Sequence, residues 1–268
     1  MKSNTAAMSD KFTFVSSQSS DHQLSTYQGR FVCRYAYGRA KETMLQGEKG
    51  QDFVAVHIEG DTCNFVLCDG VGQSYQGDFA ARFLGNRLMG WLGTTREWSS
   101  SAFAAFLSEI TVAASEQLKQ LTPPEEVPSL LREVLEVKQR LGSQTMYICG
   151  RIELPSSRKK HGRIWMAWQG DSRLRFWKND AEISEHFQTT MLTSERWSTL
   201  KGPIGGLPHV YQTRLEYGLP MRLQLYTDGL DDLDPIRQVL PGEQVQLLLN
   251  APHTGGLQDD AAFLELQW

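Results

Sequence analysis

Hydrophobic positions are scattered from residue 1 to about 28, a stretch rich in Ser, Gln and Thr. With no period to bury, residues 1–28 read as a mobile tail in which Phe12, Phe14 and Val15 are the residues able to pack. Short β-type runs follow at Arg30–Tyr37, Phe53–Ile58 and Asn64–Cys68, and the turn Glu59-Gly60-Asp61 suits a hairpin. The period then lengthens. Phe79, Phe83, Leu84, Leu88 and Trp91 recur at helical spacing between Asp78 and Trp91. Ser99-Ser100-Ser101 offers an N-cap to a second helix over Ala102–Leu121, which Pro123-Pro124 closes. A third helix spans Ser129–Leu141 and ends at Gly142, where glycine suits a left-handed cap.

After Gly142 the β pattern returns, at Thr145–Leu154, Arg163–Gln169, Ser172–Lys178, Glu182–His186, His209–Glu216, Arg222–Tyr226 and Ala261–Trp268. One more helix reads over Gly242–Asn250. The basic Ser156–Gly162 stretch reads as a solvated hairpin loop. Gln188 to Pro208 is irregular and glycine-rich, and reads as a flap over a site. Strands, then helices, then strands do not alternate as βαβ units do. The order predicts an α+β fold of antiparallel sheets with helices layered outside them.

Composition narrows the class. With 40% hydrophobic and 22% charged residues in 268, disorder and coiled-coil readings are excluded, and one large domain or two small ones remain open. No apolar run approaches the roughly 18 residues of a membrane helix, and the polar start lacks the apolar core of a secretory signal. The formal charge of -4 argues against nucleic acid as a partner. Cys33, Cys63, Cys68 and Cys149 sit mostly in apolar runs without CxxC spacing and read as reduced core thiols. The expectation is a soluble cytoplasmic monomer, with no membrane and no nucleic acid among its partners.

The informative residues are aspartates at strand ends. Asp52 opens one apolar strand, Asp69 ends another, Asp171 lies between two strands, Asp228 ends a fourth, and Asp259-Asp260 precedes the last. Any one of these is explained by turn capping. Two repeats of an apolar strand followed by Asp-Gly, at Asp69 and Asp228, are harder to explain that way. Clustered carboxylates repel unless cations neutralise them, and an oxygen-only ligand set selects Mg²⁺ or Mn²⁺ over zinc. Two such ions suit phosphoryl hydrolysis.

The ordered motifs Gln51-Asp52, Asp69-Gly70-Val71-Gly72, Gly142-Ser143-Gln144-Thr145, Gly170-Asp171-Ser172-Arg173, Thr227-Asp228-Gly229-Leu230-Asp231-Asp232 and Asp259-Asp260 resemble those of the metal-dependent protein phosphatases of type 2C, in particular bacterial members. The resemblance covers residues 29–268. It implies a four-layer α-β-β-α sandwich of two antiparallel sheets flanked by helix pairs. It also implies two tightly held Mn²⁺ or Mg²⁺ ions and a third, weaker one. Asp69 bridges the two tight ions. Asp228 and Asp259 complete one, while Asp52 and the carbonyl of Gly70 hold the other. Asp171 and Asp232 take the third, and Asp260 stands where many relatives have Asn. Asp69 and Asp228 thus carry the catalysis.

Two positions depart from the family pattern. Gly47 stands where many relatives carry a phosphate-gripping Arg, leaving Lys49, Lys41 or Arg39 as substitutes, with a lysine giving a point charge in place of a fork. Val71 stands where animal members have a His proposed as general acid. The six histidines show no paired metal spacing, and neither GxSxG nor a P-loop is present. The function implied is a serine/threonine protein phosphatase that hydrolyses phosphomonoesters by direct attack of a metal-activated water. Its partners would be a phosphorylated protein and a cognate Ser/Thr kinase. The alternatives are a phosphatase-like binding module and a phosphatase of a small phosphorylated metabolite.

Overall fold

The computed structural model describes residues 10–121, 128–156, 159–179, 181–250 and 255–268. In chain order the first elements are strands β1 (Lys11–Val15), β2 (His22–Gln28) and β3 (Val32–Gly38), then a short helix α1 (Lys41–Leu45). The hairpin β4 (Phe53–Glu59) and β5 (Thr62–Gly70) precedes helices α2 (Gly77–Thr94), α3 (Ser100–Lys119) and α4 (Ser129–Leu141). Strands β6 (Gln144–Glu153), β7 (Gly162–Gln169), β8 (Arg173–Lys178) and β9 (Ala181–Glu182) lead to α5 (Glu185–Gln188). The chain closes with β10 (Arg196–Ser198), β11 (Gly202–Ile204), β12 (His209–Leu215), β13 (Met221–Tyr226), a 3-10 helix (Asp228–Leu233), α6 (Gly242–Asn250) and β14 (Ala261–Gln267).

The strands form two antiparallel sheets. One runs β1-β4-β5-β6-β10-β11, with β7 and β12 continuing from β6; the other runs β2-β3-β14-β13-β8-β9. Alternation along each strand decides which face is dry. Val54, Val56 and Ile58 of β4 meet Leu223, Leu225 and Leu264 of the second sheet in the central core. Phe53 and Ala55 turn the other way and pack under Phe83, Leu84 and Leu88 of α2 and Phe103 and Leu107 of α3. With both faces covered, β4 and β5 read as continuous apolar runs. On the outer face of the second sheet Leu230 and Leu233 of the 3-10 helix and Val245 of α6 cover Ala36, Tyr226 and Phe263. The result is the four-layer sandwich, its fourth layer made by a 3-10 helix and one nine-residue helix.

Three local expectations are corrected. Residues 10–28 are not a tail: β1 pairs with β4 and β2 with β3, so each sheet gains a strand. Phe12 stacks on Tyr27 at 4.4 Å and Phe14 lies 4.3 Å from Tyr35, the i, i+2 spacing of β1 placing both rings on its inner face. The expected strand Glu182–His186 is a two-residue strand followed by a helical turn, because the Ser184 hydroxyl accepts from the Phe176 amide at 2.9 Å and ends the pairing. The expected flap is partly sheet: β10 pairs with β6 and β11, and fully buried Trp197 stacks on Phe83 at 6.1 Å. Pro123-Pro124 and part of the basic hairpin loop lie outside the described residues. All four cysteines are buried and free. Among the described residues, no helix is long and apolar enough to cross a membrane.

Candidate metal centre

The Asp-Gly steps bring chain ends from both sheets to one rim. Asp52 stands just before β4 and Asp69 is the penultimate residue of β5. Asp171 lies in the turn between β7 and β8, Asp228 heads the 3-10 helix after β13, and Asp259 precedes β14. The glycines have a steric reason. A Cβ on Gly70 would stand 2.6 Å from the Gln51 carbonyl oxygen and 2.7 Å from that of Gly77. On Gly229 it would meet the Asp260 carbonyl oxygen at 2.0 Å. Only glycine lets these backbones pass so closely.

Polar ties hold the rim in place. The Thr227 hydroxyl donates to Asp52 Oδ2 at 2.6 Å and accepts from the Ala262 amide at 2.9 Å. Buried Asp260 accepts from the Ala40 amide on one oxygen (2.7 Å) and the Gln51 amide on the other (2.6 Å). The Thr145 hydroxyl donates to the Asp69 carbonyl at 2.7 Å. Ser143 Oγ donates to the Gln76 carbonyl at 2.6 Å and accepts from the Ala80 amide at 3.1 Å. The Gly142–Thr145 motif therefore clamps the start of α2 against the end of β5.

The carboxylates feel one another. Burial first, then the charges of Asp228, Asp171 and Asp259, push the Asp69 carboxyl well above the ordinary range. Burial and Asp69 do the same to Asp52, against the lowering effect of the Thr227 donation. Burial and Asp171 raise Asp228, partly offset by Arg173, and burial raises Asp259. Asp52 is buried, Asp69 and Asp171 are half-buried, and Asp228 and Asp259 are exposed at the mouth. Asp232 is exposed on the 3-10 helix, and it is its neighbour Asp231 whose charge bears on Asp228.

The three basic residues expected to grip phosphate have different surroundings. Arg39 is tied to Asp21 Oδ1 at 2.9 Å. Lys41 lies against Gly255 and Gly256, and exposed Lys49 faces Asp78. Sequence reasoning assigned no role to Arg173, whose guanidinium donates to the Asp171 carbonyl and pairs with Asp234 at 2.9 Å. Nor did it find Gln18, which donates through Nε2 to the Asp52 carbonyl at 3.1 Å and the Asp78 carbonyl at 3.2 Å. The signal was faint, because Gln18 sits in a run of serines.

The donors here are all oxygen, the ligand chemistry that hard divalent cations such as Mg²⁺ or Mn²⁺ take, and a cation would relieve their mutual repulsion. Among the described residues no group of three or more His, Cys, Asp or Glu side chains is spaced so as to hold a metal ion. The carboxylates are neighbours around an open rim.

No known family profile matches the chain, and no curated protein matches it by sequence. Solved structures do. The serine/threonine phosphatase Stp1 from Staphylococcus aureus superposes with a TM-score of 0.56 at 13% identity, covering 92% of this chain and 97% of that one. RsbX in complex with magnesium gives 0.52 at 10% identity, covering 91% and 98%. The serine-threonine phosphatase 2C from Toxoplasma gondii gives 0.52 at 12%, covering 95% and 98%. With two antiparallel sheets in register and the aspartates gathered at one rim, the chain has the fold of the type 2C serine/threonine phosphatases.

Proposed function

We propose that this chain is a metal-dependent phosphoric monoester hydrolase acting on phosphoserine and phosphothreonine in proteins. The observation that carries the reading is the convergence of Asp52, Asp69, Asp228 and Asp259 on one rim, with burial and mutual charge raising each of them. On this reading Asp69 would be shared between two ions, one completed by Asp228 and Asp259 and the other by Asp52 with the Gly70 carbonyl. When bound, a pair of Mg²⁺ or Mn²⁺ ions supplies a water-derived nucleophile at neutral pH and neutralises phosphate oxygens.

The chain's own residues orient and hold. Thr227 donates to Asp52 and so favours its ionised form at a buried position. Arg173 keeps a positive charge beside Asp228 and fixes the Asp171 turn through its carbonyl. Asp171 and Asp232, with Asp228 shared, would hold a third and weaker ion. Arg39 is occupied by Asp21, so Lys41 and Lys49 are the remaining candidates to meet the phosphate. A cytoplasmic phosphoprotein made by a partner Ser/Thr kinase is the substrate this reading implies.

The decisive experiment measures phosphate release from an aryl phosphate and from a phosphothreonine peptide, with Mn²⁺ and with a chelator. Turnover of both that needs the metal supports the reading. Metal binding without turnover assigns the chain to a binding module instead, and turnover confined to small phosphorylated metabolites removes the protein substrate.

A further inference from the structure

Helix α4 carries an apolar stripe with no partner among the described residues. Leu130, Val134, Val137 and Leu141 are 74%, 47%, 55% and 57% exposed. Their 4-3-4 spacing aligns them along one side of the helix. The helix is attached to the body by another side: Leu135 packs toward the core under α2 and α3, and Gln139 Nε2 donates to the Leu121 carbonyl at 3.1 Å. Helical geometry puts the centre of the stripe about 150° away from that attachment.

The stripe reads the same from both ends. Leu130 and Leu141, and Val134 and Val137, are symmetric about the point between Leu135 and Glu136. A second copy laid antiparallel about a two-fold axis through that point stacks Leu130 on the partner's Leu141 and Val134 on the partner's Val137. That is the self-complementary pattern of an isologous contact. The charges are complementary across the same axis, although Glu133 and Arg140 are centred one position beyond it. Glu133 and Arg140 both lie on the solvent flank of the stripe, and the axis brings Glu133 to within about 3 Å of rise of the partner's Arg140. Two opposite-charge pairs thus frame the apolar layers. A heterologous partner would not require the stripe to read the same from both ends. A lipid surface would favour a uniformly basic polar face, whereas Glu133 and Glu136 alternate here with Lys138 and Arg140.

We propose that α4 is a homodimerisation helix, pairing antiparallel with the same helix of a second copy. The expectation from the sequence was a monomer; periodicity shows an amphipathic helix here without showing which side the body leaves uncovered. A 13-residue contact lies at the small end of specific interfaces, below about 1,200 Å², so the dimer should exchange with monomer at a Kd of about 1–100 µM.

Sedimentation equilibrium of the full chain tests this, from about 1 to 300 µM. A reversible monomer–dimer equilibrium is expected. Combining Val134→Glu with Val137→Glu should weaken it at least about tenfold while leaving the thermal melt and aryl phosphate turnover unchanged, since both positions are exposed. Glu133→Arg and Arg140→Glu should each weaken association about threefold, and the two together should restore it. A chain that stays monomeric to the top of the range overturns the proposal. So does a dimer indifferent to the valine substitutions, or a charge exchange that fails to restore pairing.

Discussion

Thr227 holds Asp52 from the opposite sheet. Asp52 leads into β4 of one sheet and Thr227 follows β13 of the other, and the hydroxyl-to-carboxylate bond of 2.6 Å joins them at the rim. The same hydroxyl accepts from the Ala262 amide, so one small side chain fixes two strands and one candidate ligand.

Thr227→Val keeps the shape and removes the bond. It leaves a buried carboxylate without its donor and the Ala262 amide without an acceptor, at a cost of about 2–3 kcal/mol. Thr227→Ser should recover most of that stability. A urea titration of the three proteins checks the order, and equal midpoints for Val and Thr would show that the bond contributes nothing.

Asp69→Asn should separate function from stability. Its charge repels Asp52 and Asp228, so neutralising it should leave the chelator-treated protein as stable as wild type or more so. Phosphate release should fall by about 10²–10³-fold or more, and the rise in Tm on adding Mn²⁺ should shrink. Wild-type turnover in this variant at saturating Mn²⁺ would remove Asp69 from the centre.

Gln18 ties the N-terminal segment to the rim. Beyond its two side-chain bonds, its carbonyl accepts from the Gly50 amide at 2.7 Å, and it adopts φ +59 to do so. Gln18→Ala should lower stability by about 1–2 kcal/mol. It should also weaken Mn²⁺ binding, because the Asp52 loop loses its backing. Calorimetric titration reads the second effect, and unchanged affinity would confine Gln18 to folding.

Glu153 gives the pH dependence its sign. Burial works to raise its pKa, but hydrogen bonds from Arg163 and Lys159 and the nearby charges, Arg151 among them, hold it at about 2 against an ordinary 4.5. Arg151 and Arg163 also lie over the Trp98 ring, at 5.6 and 5.2 Å, so the cluster braces the α2–α3 connection. A depressed carboxylate stabilises fully above 4.5, and the contribution fades as pH falls toward about 2. Glu153→Gln should therefore cost about 2 kcal/mol at neutral pH and almost nothing near pH 2. Denaturant midpoints at the two pH values decide it: a pH-independent difference would mean lost packing.

Strong periods were legible to the residue. Ser129–Leu141 and Gly242–Asn250 are helices at the bounds their patterns imply. Strands buried on both faces, such as β4 and β5, shifted only at their ends. β1 and β2 escaped because a strand that buries one face shows half a pattern, and HQLSTYQ offers only Leu24 and Tyr27 as signal. The flap misled for a related reason. Its glycines mark the turns around β10 and β11, while Trp197 anchors the hairpin under α2.

By itself the sequence determined the layers and the order of the aspartates, because burial periodicity and Asp-Gly turns are local properties of the chain. Tertiary structure alone decided which groups meet. Thr227 and Asp52 are 175 positions apart, Asp260 and Ala40 are 220, and Arg173 reaches Asp234 across 61. Such pairings depend on how two twisted sheets stack, and no short-range pattern encodes that stacking. The same holds for α4. Its stripe is written in the sequence, but whether the body would cover it was settled only when Leu135 and Gln139 took the inner side and left Leu130, Val134, Val137 and Leu141 exposed.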